Sequence, residues 1–311
     1  MNRRFQIISL LACIATASIP AADHSGPHAA HTPKFPPPGP GAVNIVARDY
    51  MFEMPARIPS GWTEFRFFNA GMAPHFFLLS LLPPERTLAD YINEVGPAFG
   101  AAMAAIREDK GDRTRAYTIL GEKIPAWFAS VRQMGGAGFI EPGGLAVTTA
   151  KLVPGEYVVE CYIKADDGRF HTELGMIRAL TVTSADSGMA EPSATLTVTL
   201  SNGRIDVPTP VPVGRQTVAV KFNEHPEQGL GNDVHLVKLE SDTDLDAVIR
   251  WVDWMNLDGL THHTPARFLG GTQEMPLGST AYVTFDFTPG EYAWIAESGA
   301  ANGMVLRFEV E

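Results

Sequence analysis

The chain has 311 residues, enough for about two cores, and its 29 glycines and 24 prolines point to a turn-rich, all-β design. A formal charge of −11 without any basic run excludes nucleic acid and anionic membrane surfaces as natural partners. Past the N-terminal segment, no apolar run is long enough to span a bilayer.

Residues 1–22 read as a secretory signal: Asn2-Arg3-Arg4 is the charged start, Phe5 to Ala17 the apolar body, and Ala21 and Ala22 the small residues near cleavage. The expected product is periplasmic or secreted. A minority alternative is lipoprotein processing at Cys13, because "LLAC" ends there, although the following "IATASIPA" stays apolar where a polar linker belongs. With the signal removed, Cys161 is the only cysteine left, so no internal disulfide can form. A lone thiol in an oxidising compartment is a liability unless it is buried or holds a metal.

Residues 23–41 form a Pro/His-rich linker, "DHSGPHAAHTPKFPPPGPG". Strands are expected at "AVNIVA", "TEFRFFN" and "HFFLLSL". The stretch from Thr87 to Glu108 has helical spacing, and Gly96-Pro97 should break or kink it. Further strands are expected at "GLAVTTAKL", "EYVVECYI" and "IRALTVT". A second linker follows at 185–191.

The second half then repeats the first. "VAVKFN" matches "FRFFN", and "DVHLVKLE" around His235 matches "APHFFLLSL" around His75. Gly135-Gly136 and Gly270-Gly271 precede two Pro-Gly-Glu-Tyr turns by the same distance. "GMVLRFEV" matches "GMIRALTV". The expected organisation is a tandem duplication, with units at 42–184 and 192–311.

In "PGEYVVECYIKADDGRFHTELGM", alternation places Tyr157, Val159 and Cys161 on one face of a strand, pointing inward. His171 follows in a loop, Met176 opens the next strand, and His75 begins an earlier one. Two imidazoles and a thiolate in a plane, with a weak axial thioether, make a blue-copper site.

On these residues the chain resembles the cupredoxins, the family of plastocyanin and azurin. "PGEYVVEC…H…GM…LTV" is similar to that family's C-terminal ligand region, and "N…PH" to its first-histidine region. The resemblance implies two tandem Greek-key β-sandwich domains with helical insertions. It implies His75, Cys161 and His171 as strong copper ligands and Met176 as the axial one, with one copper per chain. The segment "YIKADDGRF" between Cys161 and His171 is longer than the family's usual loop. It should bulge out, with a tight turn at Asp167-Gly168, and loosen the ligand geometry.

The second half serves as a control. It keeps His235 and Met304, but Ala296 stands at the register of Cys161, and "ESGAAN" offers nothing for His171. It is expected to bind no metal. In the linker, cleavage after Ala21 would leave Ala22-Asp23-His24 as a square-planar Cu(II) site built on His24. His262-His263 reads as a solvated loop pair, with a contact to the first half's site as the alternative. Trp251 and Trp254 read as packing.

Electron transfer at a mononuclear copper ranks first, with an unidentified redox or copper-transfer protein as partner. Copper storage or delivery is the second reading, and a metal-free scaffold the third. A multicopper oxidase or nitrite reductase-like enzyme ranks below these, because no His-x-His pair and no histidine beside Cys161 are present.

Overall fold

The computed structural model describes residues 33, 35, 37, 39–226, 231–297 and 299–311. The signal segment, Cys13, His24 and most of the 23–41 linker lie outside the described residues. The described residues from 33 onward belong to one compact unit.

Alternating side chains build the strands. In β1 (Ala42–Arg48), Val43, Ile45 and Ala47 point inward, and in β3 (Arg57–Asn69) Phe65 and Phe67 do the same. A short β2 (Met51–Glu53) lies between them. The first half continues with β4 (Leu78–Leu81), β5 (Arg132–Gln133), β6 (Leu145–Leu152), β7 (Gly155–Glu160) and β8 (Ile177–Asp186). The second half holds β9 (Leu196–Ser201), β10 (Arg204–Asp206), β11 (Gly214–Phe222) and β12 (Val234–Leu239). It ends with β13 (Arg267–Thr272), β14 (Thr280–Phe287), β15 (Gly290–Ile295) and β16 (Val305–Val310).

The strand pairings repeat in order. β1 pairs antiparallel with β2 and parallel with β3, as β9 does with β10 and β11. β3 pairs with β6 as β11 does with β14. β7 lies between β4 and β8 as β15 lies between β12 and β16. β5 and β13 close the two edges on β4 and β12. The halves are joined edge to edge where β6 pairs antiparallel with β14, Thr148 facing Val283.

The repeated glycines have a steric reason. Gly136 has φ +136°, and a Cβ there would sit 2.0 Å from the Phe77 carbonyl oxygen. At Gly271, with φ +146°, a Cβ would sit 2.1 Å from that of Val234. Only glycine allows both the backbone angle and the close approach.

The helical insertion covers the face of β7 that does not carry the thiol. Thr87 caps α1 (Leu88–Asp90) through a capping box with Asp90. The helix does not break at Gly96-Pro97. It passes through a π-turn (Tyr91–Val95) into α2 (Gly96–Glu108), and Pro97 falls in the first turn of α2, where its missing N–H costs little. Then α3 (Thr114–Lys123) packs beside it. Tyr91 and Val95 bury against Val158, so β7 is buried on both faces. In the second half, Asp244 caps α4 (Leu245–Val252), and Trp251 packs on Phe139 and Phe268. Among the described residues, no helix is long and apolar enough to cross a membrane.

Candidate metal centre

Cys161 follows β7 directly and is fully buried. His75 stands just ahead of β4, held by reciprocal backbone hydrogen bonds with Ile140. His171 opens a single 3₁₀ turn that ends at Gly175, whose left-handed φ of +110° reverses the chain. That reversal returns Met176 to the cluster: its N–H donates to the His171 carbonyl at 2.8 Å, and its carbonyl accepts the Cys161 N–H at 3.2 Å.

The side chains converge. The Nδ1 atoms of His75 and His171 stand 3.8 and 3.7 Å from Cys161 Sγ. The three ligand atoms lie within 4.8 Å of one another, and all three residues are buried. A metal with bonds of about 2.3 Å to thiolate and about 2.05 Å to imidazole, opened at about 120°, sets its S and N donors roughly 3.8 Å apart. The spacing fits one shared ion. Met176 is also buried, with its main chain bonded to both Cys161 and His171.

The outer atoms of both rings are engaged. His75 Nε2 meets Asp49 Oδ1 at 2.7 Å, which orients the ring and turns Nδ1 toward the sulfur. Burial alone would raise the Asp49 carboxyl, but hydrogen bonds from His75 and from the Met72 amide outweigh it and hold Asp49 at about 2. Burial lowers His75, with Asp49 pulling the other way. Burial, and then the neighbouring His75, push His171 down to about 2, so it stays a neutral imidazole with a free lone pair. Burial pushes the Cys161 thiol up to about 12, against backbone hydrogen bonds from Phe76 and Ile163. A cation at that position is what would turn this thiol into a thiolate.

His171 Nε2 lies 3.1 Å from His262 Nε2, and His262 Nδ1 lies 3.3 Å from Asp166. The second half therefore reaches the site through the loop whose contact was the alternative reading. Asp49 escaped sequence reasoning, because a residue at the tip of the β1–β2 hairpin carries no spacing signal toward a histidine in another element.

The long Cys-to-His segment does not loosen the ligands. It folds into a small hairpin: Lys164 bridges Phe170, Gly168 takes φ +81° at the turn, and the His171 N–H donates to Ile163 at 2.7 Å. The hairpin is anchored on the second half. The Lys164 N–H donates to the Leu260 carbonyl at 2.6 Å, and its ammonium donates to the Trp254 and Asn256 carbonyls.

In the second half, His235 is buried and stacks on Phe139, with ring centroids 4.0 Å apart. The structure groups it with Asp233 and Glu297, two carboxylates that the sequence comparison passed over.

No family model matches the chain, and no curated protein matches it. Among solved structures, auracyanin from the photosynthetic bacterium Roseiflexus castenholzii is 18% identical, with TM-score 0.28, over 46% of this chain and 97% of its own. A multicopper oxidase is 16% identical, with TM-score 0.24, over 87% of this chain and 88% of its own. A copper-containing nitrite reductase from Thermus scotoductus SA-01 is 10% identical, with TM-score 0.23, over 88% of this chain and 68% of its own. At such scores the centre stands on the chain's own side chains.

Proposed function

We propose that this chain is an exported mononuclear copper protein that passes single electrons, with its centre in the unit 42–184 and a second, metal-free cupredoxin-like unit at 192–311. One observation carries the reading: two imidazole nitrogens stand 3.7 and 3.8 Å from the buried Cys161 thiol, the spacing a shared metal requires. His75, Cys161 and His171 would hold the copper, and Met176 is the axial candidate. A copper bound there supplies a Cu(II)/Cu(I) couple in a donor set that suits both states.

The chain's own residues support electron transfer over storage. Asp49 fixes the His75 ring, the anchored hairpin fixes His171, and every ligand residue is buried, so little reorganises between oxidation states. Burial also resists exchange of the ion with a delivery partner. His262, with a fifth of its side chain exposed, gives His171 a short path to the surface.

Titration of the purified mature chain with Cu(II), with metal counted and the visible spectrum recorded, tests the reading. One tightly held copper with a strong thiolate band that Cys161→Ser abolishes is the expected outcome. One copper without that band turns the reading toward storage or delivery. No retained copper overturns it.

A further inference from the structure

Beside the metal centre, between the helical insertion and the second half, lies a cavity of about 430 Å³. Its wall is mainly apolar and aromatic, with Tyr91, Phe99, Phe128, Phe170, Ile177 and Trp254 contributing. Five acidic residues also line it: Glu160, Glu173, Asp233, Glu274 and Glu297. Among the described residues, no lysine, arginine or histidine lines it to pair with these acids.

The polar groups are incompletely satisfied. Glu297 is 3% exposed; its Oε2 accepts the Tyr162 hydroxyl at 3.1 Å, and its Oε1 is buried without a partner. Gln273 is 1% exposed, and its Nε2 is also without a partner. An orphaned buried carboxylate oxygen is costly, and a ligand that supplies a donor removes that cost. Burial, reinforced by Asp233, raises Glu297 well above the usual carboxylate range, and burial raises Glu274 to about 7. Both shifts record acids that lack a cationic neighbour.

We propose that this cavity binds a small organic cation, a protonated amine on an aromatic or apolar body, with its charge at Glu297 and its body against the aromatic wall. Apolar walls with a few convergent polar groups are the usual make-up of a small-molecule site. Aromatic faces and carboxylates together select positive charge.

An inorganic ion is the competing occupant, because Asp233, His235 and Glu297 bring three donor atoms within 4.8 Å. The histidine argues against it. His235 Nδ1 accepts the Phe139 N–H at 3.3 Å, which puts the ring proton on Nε2; that nitrogen stands 3.4 Å from Asp233 without a hydrogen-bond partner, a second open position at the cluster that a ligand's acceptor can fill. A nitrogen bearing its proton has no lone pair for a metal. The open Glu297 Oε1 is then left to a ligand that brings its own N–H donor.

The amine site does not depend on the copper reading. Its wall includes Glu160 and Tyr162, which flank Cys161, but none of the copper ligands. The probes are benzylamine and its neutral analogue benzyl alcohol, titrated calorimetrically into the full chain with intrinsic tryptophan fluorescence followed in parallel. Benzylamine is expected to bind one to one and roughly tenfold or more tighter than benzyl alcohol. Glu297→Gln is expected to weaken benzylamine roughly tenfold and leave benzyl alcohol unchanged. If that variant does not fold, Glu274→Gln supplies the same contrast with a smaller loss. Equal affinities for amine and alcohol would overturn the proposal in favour of an uncharged ligand. Zinc displacing benzylamine one for one would overturn it in favour of an inorganic ion, and no binding at millimolar amine would overturn it outright.

Discussion

The two halves share a backbone frame and differ in what they hang on it. In the first, the Cys161 N–H donates to the Met176 carbonyl, and in the second the Ala296 N–H donates to that of Met304. The Met176 N–H returns to His171, and the Met304 N–H returns to Gly299. Gly299 thus holds the place of His171, and Ala296 that of Cys161. The tip of the β1–β2 hairpin presents Asp49 to His75, while the β9–β10 tip carries Asn202 and Gly203. Two features separate the halves at this site, a thiol and an imidazole; the carboxylate beside the remaining imidazole is Asp49 in the first half and Asp233 in the second. The frame stands without that thiol and imidazole in the second half, so the frame does not need them to form.

The largest effects are expected where the halves agree. Gly136→Ala and Gly271→Ala each force a Cβ to about 2 Å from a backbone oxygen at a positive φ. Each should cost more than about 3 kcal/mol, as a shift in the denaturation midpoint. A large loss in one variant and a small one in the other would show that the frames are not equivalent.

Where the halves differ, one substitution makes the first resemble the second. His171→Gly should lower copper affinity by more than about two orders of magnitude, since a ligand is lost and not merely an outer partner. Equilibrium dialysis against a chelator measures this. The reverse change, Ala296→Cys, should produce no thiolate–copper band, because Gly299 at the place of His171 supplies no second imidazole. A coloured second site in that variant would break the comparison.

Much of this frame was legible in the sequence because its signals are local. Alternation marked β1, β3 and β7, and the paired Pro-Gly-Glu-Tyr turns and glycines marked the duplication. Cys161 and His171 stood out because Ala296 and "ESGAAN" replaced them. Asp49 and the acidic cavity were not legible: each arises from elements distant in sequence, and no spacing within one element encodes such a meeting. The π-turn was missed because Gly-Pro is a breaker by propensity, yet Pro97 at the start of a helical turn surrenders no hydrogen bond.

The acids of the cavity sharpen the comparison through pH. Burial raises Glu274 from 4.5 to about 7. Below about pH 4.5 it is protonated in both the folded and the unfolded chain, and its contribution to stability is at its fullest. Between about 4.5 and 7 the unfolded chain releases the proton while the folded chain keeps it, so stability falls as pH rises through that window. The loss should reach about 3 kcal/mol, and Glu274→Gln should remove it from the stability profile of the metal-free protein. A profile as steep in the variant as in the parent would place the group in a wetter environment than its burial implies.

The smallest effect expected is at Asp49, which meets its histidine from the β1–β2 hairpin tip, whereas in the second half Asp233 meets His235 from two residues away. Its carboxylate accepts from His75 Nε2 at 2.7 Å and from the Met72 N–H at 2.7 Å. Asp49→Asn keeps the size and one acceptor oxygen but removes the charge. The turn should survive, since the Met72 N–H can still be accepted, while the imidazole becomes a weaker donor to the metal and less firmly oriented. Outer carboxylates of this kind change metal affinity by about ten- to a hundredfold, so competition with a chelator should show a loss of that order with the unfolding midpoint almost unmoved. If the unfolding midpoint drops instead and copper affinity holds, Asp49 is an anchor of the hairpin tip, and the difference from Asn202 is one of turn chemistry rather than of metal binding.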